Sequence, residues 1–365
     1  MKNTFGSSIT VTLFGESHGA AIGAVVDGLA PGIRIDEEYI NKRLDERRPQ
    51  GKISTSRREA DKYEILSGVF NGYTTGTPLT LVIRNENTRS KDYSSLLDMP
   101  RPSHADYTAS VKYRGYQDYR GGGHFSGRIT AALVAVGAII RYALEGKGIY
   151  VGTHVAKLHG VCDRGFGDIS EDIKALSCGG FPVLDPNARE KMIAEAEAAA
   201  AVGDSVGGVL ESAIIGLPAG IGEPWFDTLE GVLAHILFSV PAVKGVEFGG
   251  GFGLADMYGS EANDAFITDG KTVSTATNNS GGINGGISNG MPVIFRTAVK
   301  PTPSIFKKQN TVSLSKMEGC ELEISGRHDP AIVHRARAVV DAVSAIAVAD
   351  MLAVKYGTDW LGESR

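Results

Sequence analysis

The sequence predicts an α+β fold in which sheets cover buried helices, as one unit over residues 1–365. Three observations lead there. Segments rich in β-branched residues alternate irregularly with helical ones. Two helical stretches are apolar on most sides, which places them inside. No stretch reads as an interdomain linker, and no fixed-period repeat occurs.

The elements follow in chain order. Ile9–Phe14 reads as a strand, and Val25-Val26-Asp27-Gly28 as a strand running into a turn. Pro78–Ile83 is the next strand. Ser126 caps a helix from Gly127 to Glu145. Its apolar run, Ile129 to Ile140, is bounded by Arg128 and Arg141. A bilayer span needs ~20 residues, so this is a buried helix. Ala188–Ala201 has the Ala and Glu content of a helix. Val206–Leu217 and Met291–Val299 are strands. Between them, Asp227-Thr228-Leu229-Glu230 resembles a capping box opening a helix that stops at Pro241. The last helix starts with Asp329 as N-cap and Pro330 at N1, and ends near Tyr356. Its later part, Ala338 to Val354, is apolar almost all round, with Asp341 and Asp350 as exceptions.

Bulk properties exclude some function classes. A net charge of −5 argues against a nucleic-acid or membrane binder. Cys162, Cys178 and Cys320 are scattered, without a Cys-x-x-Cys pair. Reduced thiols in a cytoplasmic protein fit better than disulfides, and no metal site is expected. The N-terminus lacks a signal pattern. Glycine, at 47 residues, exceeds the usual ~7% and is clustered, so it marks sites.

Distant segments carry proton-transfer groups beside glycine or arginine: Gly15-Glu16-Ser17-His18-Gly19, Pro102-Ser103-His104-Ala105-Asp106 and Gly326-Arg327-His328-Asp329-Pro330. Such groups meet only in a folded cleft. The first matches Gly-x-Ser-x-Gly, the nucleophile elbow of serine hydrolases, which would make Ser17 a nucleophile. That elbow needs a helix after the serine, and here a second strand follows. A non-catalytic anion-binding protein is the other alternative.

Lys42 to Arg58 holds seven basic residues against Asp45 and Glu46, and arginine's planar fork suits phosphate or carboxylate. Arg120-Gly121-Gly122-Gly123 leads through His124, Phe125 and Ser126 into a helix. That is the form of a phosphate seat, with Arg128 adding charge. His334, Arg335 and Arg337 lie in the first turns of the last helix, where the dipole disfavours cations, so a bound anion is expected there. Asn278–Gly290, with Gly285 at its centre, and the stiff Lys300-Pro301-Thr302-Pro303-Ser304 look like a cofactor wall.

In this order the segments resemble the chorismate synthase family from about Phe5 to Met351. The resemblance rests on Phe14–Gly19, Arg47-Arg48-Pro49, Arg57-Arg58-Glu59, Leu66–Phe70, Thr74–Thr77, His104–Tyr107, Asp118–Gly123, Gly203-Asp204-Ser205, Val243–Glu247, Lys300-Pro301-Thr302 and Gly326–Pro330. It implies a β-α-β sandwich with central helices between antiparallel sheets, in a homotetramer using reduced FMN, with NADPH a candidate reductant. The reaction it implies converts 5-enolpyruvylshikimate 3-phosphate to chorismate, with loss of phosphate and a ring hydrogen and no net redox change. It implies His104 as acid to the leaving phosphate, His18 as keeper of the flavin's proton state, and Asp329 as base. Arg47, Arg48, Lys52, Arg128 and Arg327 would hold the substrate. His124, Phe125, Ser126, Ala242, Gly285, Lys300 to Ser304 and Arg327 would hold the flavin. The chain departs from the family pattern at His124-Phe125 (commonly Arg-Ser), Ile129 (Glu), Ser103 (Gly), Pro241 (Asn) and Ala30 (Pro). At 124–126 the expected flavin contacts are therefore with backbone.

Overall fold

A computed structural model describes residues 2–49, 53–54, 60–86, 96–324 and 329–362. Two five-stranded antiparallel sheets enclose helices. The first sheet contains β1 (Thr4–Phe5), β2 (Thr10–Gly15), β3 (Ala21–Asp27), β4 (Tyr63–Ser67) and β5 (Leu79–Arg84), in the order β1-β2-β3-β5-β4. The second contains β6 (Tyr150–Leu158), β7 (Val161–Cys162), β8 (Gly208–Ile215), β9 (Val243–Phe248) and β10 (Val293–Val299), in the order β9-β10-β8-β6-β7.

The helices of eight residues or more are α1 (Glu37–Arg47), α2 (Asp106–Tyr113), α3 (Thr130–Gly146), α4 (Ile169–Leu176), α5 (Pro186–Ala201), α6 (Leu229–Ser239) and α7 (Val333–Tyr356). Helix α3 lies on β3 and β5, α7 lies on β6 and β8, and the two helices pack together. The order sheet, helices, sheet is the expected sandwich. A stretch from Gly127 to Gly146 is long and apolar enough for a membrane span by composition, but most of it is buried between the sheets.

The four expected strands appear within two residues of their expected starts and ends. Ser126 accepts from the Arg128 backbone N–H at the entry to α3. The α6 cap falls one residue later than expected: Thr228 accepts from Gly231 N at 2.9 Å, and its N3 glycine cannot complete a capping box. The start of α7 is also different. The cap is Ile332 with no side-chain bond, so Asp329 and Pro330 precede the helix instead of opening it.

The two acidic exceptions in α7 each have a partner. Asp350 accepts from Ser7 N, Ser8 N and Ile9 N at 2.7–3.1 Å, pinning the segment before β2 to the helix. Asp341 binds Arg141 of α3 at 2.9 Å. Close approach of these helices depends on Gly137, where an added Cβ would lie 2.6 Å from Ala342 Cβ and 2.8 Å from its Cα. Backbone cannot yield there. Gly137→Ala is expected to cost roughly 1–3 kcal/mol in urea unfolding through overpacking, and an unchanged midpoint would contradict this packing.

Strand β6 was not visible in the sequence. Gly152 interrupts its pattern because a Cβ there would meet Ile173 Cγ1 at 2.6 Å. His154 interrupts it too, yet its ring is fully buried between Asp163 (2.9 Å from Nδ1) and Glu211 (3.0 Å from Nε2). Burial alone would lower this imidazole's pKa. Hydrogen bonds and charge from both carboxylates outweigh that and raise it. A raised folded-state value stabilises below the unfolded value of about 6.5 and is lost as pH rises through the folded one. The stability gap between wild type and His154→Gln is therefore expected to shrink from pH 6 towards pH 9, read by urea titration at each pH. A gap that is constant with pH would contradict the charged state.

Candidate active site

The site begins at the turn between β2 and β3, where Gly15 sits at φ +95°. This turn carries Ser17 and His18, both buried. The Ser17 hydroxyl bonds to the carbonyls of Arg120 (3.2 Å) and Gly121 (3.1 Å), and Ser17 N donates to Gly123 O at 3.1 Å. The glycine loop is thereby held on the turn. The serine-elbow alternative fails on two counts: a hairpin strand, not a helix, follows Ser17, and its hydroxyl is engaged by backbone.

Gly121 and Gly122 lie between the two histidines. A Cβ on Gly121 would stand 2.2 Å from His18 Cε1 and Nδ1; one on Gly122 would stand 3.3 Å from His104 Cε1. Both glycines have positive φ, so only glycine lets bare backbone run between the rings. His104 sits after Ser103, itself at φ +57°, and before α2. Its Nδ1 lies 2.6 Å from Asp106 Oδ1.

The same cluster reaches the 300–304 segment. Lys300 Nζ donates to Ser103 O at 2.6 Å, and Lys300 N to Ala242 O at 2.9 Å. Burial, then the neighbouring Lys244 charge, lower the Lys300 ammonium. Arg101 Nη1 donates to Ser304 Oγ at 3.3 Å. The Thr302 carbonyl accepts from Ser205 Oγ at 2.7 Å, while the buried Thr302 hydroxyl has no hydrogen-bond partner among the described residues. Pro301 packs within 2.9 Å of the position a Cβ on Gly207 would take, and the Pro303 carbonyl accepts from Gln309.

On the other side, Asn85 bridges the His18 turn to the arginines. It donates to Glu16 O (2.9 Å) and Gly19 O (3.0 Å) and accepts from Arg128 Nε at 3.2 Å. Arg128 and Arg47 both pair with Asp61, whose side chain is 0% exposed; Arg48 Nε lies 3.8 Å from it. Burial would raise the Asp61 carboxyl, but the charges and hydrogen bonds of Arg47 and Arg128 hold it below its ordinary value. Arg335 then donates to Arg47 O (2.9 Å) and to Asp329 Oδ2 (2.6 Å). A continuous path of polar contacts thus joins the turn carrying His18 to Asp329.

Several expectations need correction. Arg47 and Arg128 are not open cations, since Asp61 already pairs with them. The three basic residues at the start of α7 are likewise engaged. The His334 Nε2 bonds Ser54 Oγ at 3.0 Å, and burial, then Arg335, push its pKa down to about 4. Arg337 reaches Thr153 O, Leu176 O and Glu46. At 124–126 the side chains have partners within the chain: His124 Nδ1 meets Gly15 O at 2.7 Å, the exposed Phe125 packs edge-on against Tyr113, and Ser126 caps Arg128 N. Gly285 lies in the Ile283–Ser288 hairpin at the start of α6, whereas Ala242 follows its end, about 16 Å along an 11-residue helix. Among the described residues no contact joins Gly285 to the histidine cluster. Lys52 and Arg327 lie outside the described residues.

A family model described as chorismate synthase matches residues 9–353. The chain belongs to the chorismate synthase family. A chorismate synthase of Thermococcus gammatolerans is 47% identical over 95% of this chain and 96% of the relative. One of Dehalococcoides mccartyi is 47% identical over 98% of each, and one of Aeropyrum pernix 45% identical over 100% and 97%. A crystal structure of chorismate synthase superposes with a TM-score of 0.76 at 30% identity, covering 97% of this chain and 94% of the other. Family membership makes the protein a lyase of aromatic biosynthesis.

Sequence reasoning missed Asp61, Asn85, Arg101 and the role of Asp106. The His-x-Asp spacing of His104 and Asp106 was the one available signal. Asp61 gave none, because its partners are 14 and 67 residues away.

Proposed function

We propose that the site converts 5-enolpyruvylshikimate 3-phosphate to chorismate and phosphate by anti-1,4-elimination with reduced FMN. The observation that carries this reading is the bare Gly121-Gly122 backbone between His18 and His104, bridged by Asn85 to buried arginines. Two imidazoles on either side of one flat surface suit two proton events at neighbouring atoms. Buried guanidinium groups suit phosphate and carboxylate.

The residues fit a flavin. Thr302 offers a buried hydroxyl without a partner among the described residues, Lys300 a cation, and Ala242, at φ +74°, a backbone turn beside it. Lys300, Thr302 and Ala242 would hold reduced FMN, which when bound would supply the electron density that helps phosphate leave. His104 gives the leaving phosphate a proton from Nε2. His18 manages the proton at the flavin, and Asp329, fixed by Arg335, serves as base for the hydrogen that leaves the ring. Arg47 and Arg128 share the single carboxylate of Asp61 and so keep a net positive charge, which with Arg48, Lys52 and Arg327 would hold the substrate's anions. One C–O bond and one C–H bond break and a double bond forms, so no net oxidation occurs.

An anaerobic assay with photoreduced FMN and the phosphorylated enol ether is expected to show chorismate by absorbance; folded protein giving none would refute the reading. NADPH is proposed as reductant, tested by its stoichiometric oxidation with FMN and no added reductase. Assembly as a homotetramer is supported by the exposed Trp225 (85%), Phe226 (94%) and Phe252 (83%), and light scattering would measure it. A cytoplasmic location and a single domain are proposed with it, the latter supported by one core cluster shared by both sheets.

A further inference from the structure

Asp106 and Arg101 lie beside His104 and are given no part in the reaction proposed above. Asp106 is the first residue of α2, and its side chain is 8% exposed. Three donors from Arg101 converge on it: Nε to Oδ2 (2.8 Å), Nη2 to Oδ1 (2.8 Å) and the backbone N to Oδ2 (3.0 Å). This is a bidentate fork on a buried carboxylate, the strong form of such a pair. The Arg101 side chain is itself 6% exposed and reaches on to Ser304. His104 adds the fourth contact, Nδ1 to Oδ1 at 2.6 Å.

The distances assign the imidazole. Arg101 Nη2 is also 3.0 Å from His104 Nδ1, so Nδ1 has a donor and an acceptor in reach. A lone pair on Nδ1 would face a carboxylate oxygen at 2.6 Å and be repelled. A hydrogen on Nδ1 makes a short charge-assisted bond there, and leaves Arg101 Nη2 to Oδ1, its nearer partner. Nδ1 therefore carries hydrogen in every protonation state. The opposite edge faces the glycine loop: a Cβ on Gly122 would stand 3.5 Å from Nε2.

We propose that Asp106 is the positioning residue for His104: it fixes hydrogen on Nδ1, so that Nε2 alone exchanges a proton with the departing phosphate, while Arg101 holds Asp106 in place as a carboxylate. In the elimination, the imidazolium Nε2–H bond breaks and an O–H bond forms on the phosphate. The ring is left neutral with Nδ1–H intact. Burial would favour protonation of Asp106, but hydrogen bonds from Arg101 and His104 hold the carboxyl far below its ordinary value. The proton therefore stays on the ring.

The inference rests on His104 being the acid, and the test separates the two. The full chain labelled with 15N-histidine, with His104 assigned by its loss in His104→Gln, is expected to show the neutral ring as the Nδ1–H tautomer. An Nε2–H tautomer in the wild type would overturn the proposal whether or not any variant folds. Asp106→Asn, nearly isosteric, is expected to lower kcat about 10²-fold with KM changed less than about threefold, and to populate the other tautomer. Arg101→Lys keeps the charge and is expected to keep the tautomer while losing less rate. Wild-type chorismate formation together with an Asp106→Asn variant of normal rate and tautomer would sink the positioning role and leave the function standing. No chorismate from the wild type would sink the function, and the tautomer would still judge the geometry.

Discussion

Replacing His104 by alanine is expected to lower chorismate formation about 10²-fold or more under anaerobic, FMN-saturated conditions. The size follows from its position. The ring is four-fifths buried, fixed at Nδ1, and directed across Gly122, so solvent cannot readily replace its proton. The loss should fall on kcat, because the phosphate contacts proposed above are the arginines around Asp61, which the substitution leaves in place. Flavin affinity, read by fluorescence quenching, should change little, since Lys300 and Thr302, the flavin contacts proposed above, remain. A variant with normal kcat would remove His104 from the chemistry.

Asp341→Ala is expected to destabilise the fold by roughly 3–5 kcal/mol, read as the urea midpoint at constant slope. Asp341 lies between α3 and α7 and is 2% exposed. It faces Arg141 at 2.9 Å and Arg337 at 3.4 Å, both almost wholly buried. Burial would depress the Arg141 guanidinium; Asp341, with smaller contributions from Tyr39, Glu145 and Glu46, outweighs this and raises it. Removing the carboxylate leaves two desolvated cations sharing Glu46 and Glu145. Replacing Asp341, Arg141 and Arg337 together by apolar residues of similar volume is expected to cost less than the single change, because the buried cations go with the carboxylate while Glu46 keeps Arg43 and Glu145 keeps the Tyr39 hydroxyl. An Asp341→Ala loss below about 1 kcal/mol would mean the network is solvated.

How far the fold was legible varies by element, and the reason is physical. Helices α3 and α7 declared themselves because a helix between two sheets is apolar all round, a property of composition. The edge helix α1 did not, since only Ile40 and Leu44 form its apolar side. Strand β6 was hidden by Gly152 and His154, residues explained only by Ile173, Asp163 and Glu211 from other segments. At the start of α7 a local rule misled: Asp329-Pro330 has the form of a cap, but Arg335 draws the carboxylate away.

The site divides in the same manner. Glycine runs and histidines at chain positions 18, 104 and 121–123 were visible as residue types, because a bare backbone and a proton-transfer ring are chemical requirements that any fold must meet. Charge was legible as composition but not as availability. The sequence shows Arg47, Arg128, Arg335 and Arg337 as cations, while the fold pairs them with Asp61, Asp329 and Glu46. Sequence alone determined the sandwich class, the buried helices and the family, since these depend on patterns along the chain. Only the tertiary structure decided which carboxylate meets which cation, and which nitrogen of His104 is held. Those are matters of a few ångströms between segments far apart in sequence, where Coulomb energy and hydrogen-bond geometry change most steeply.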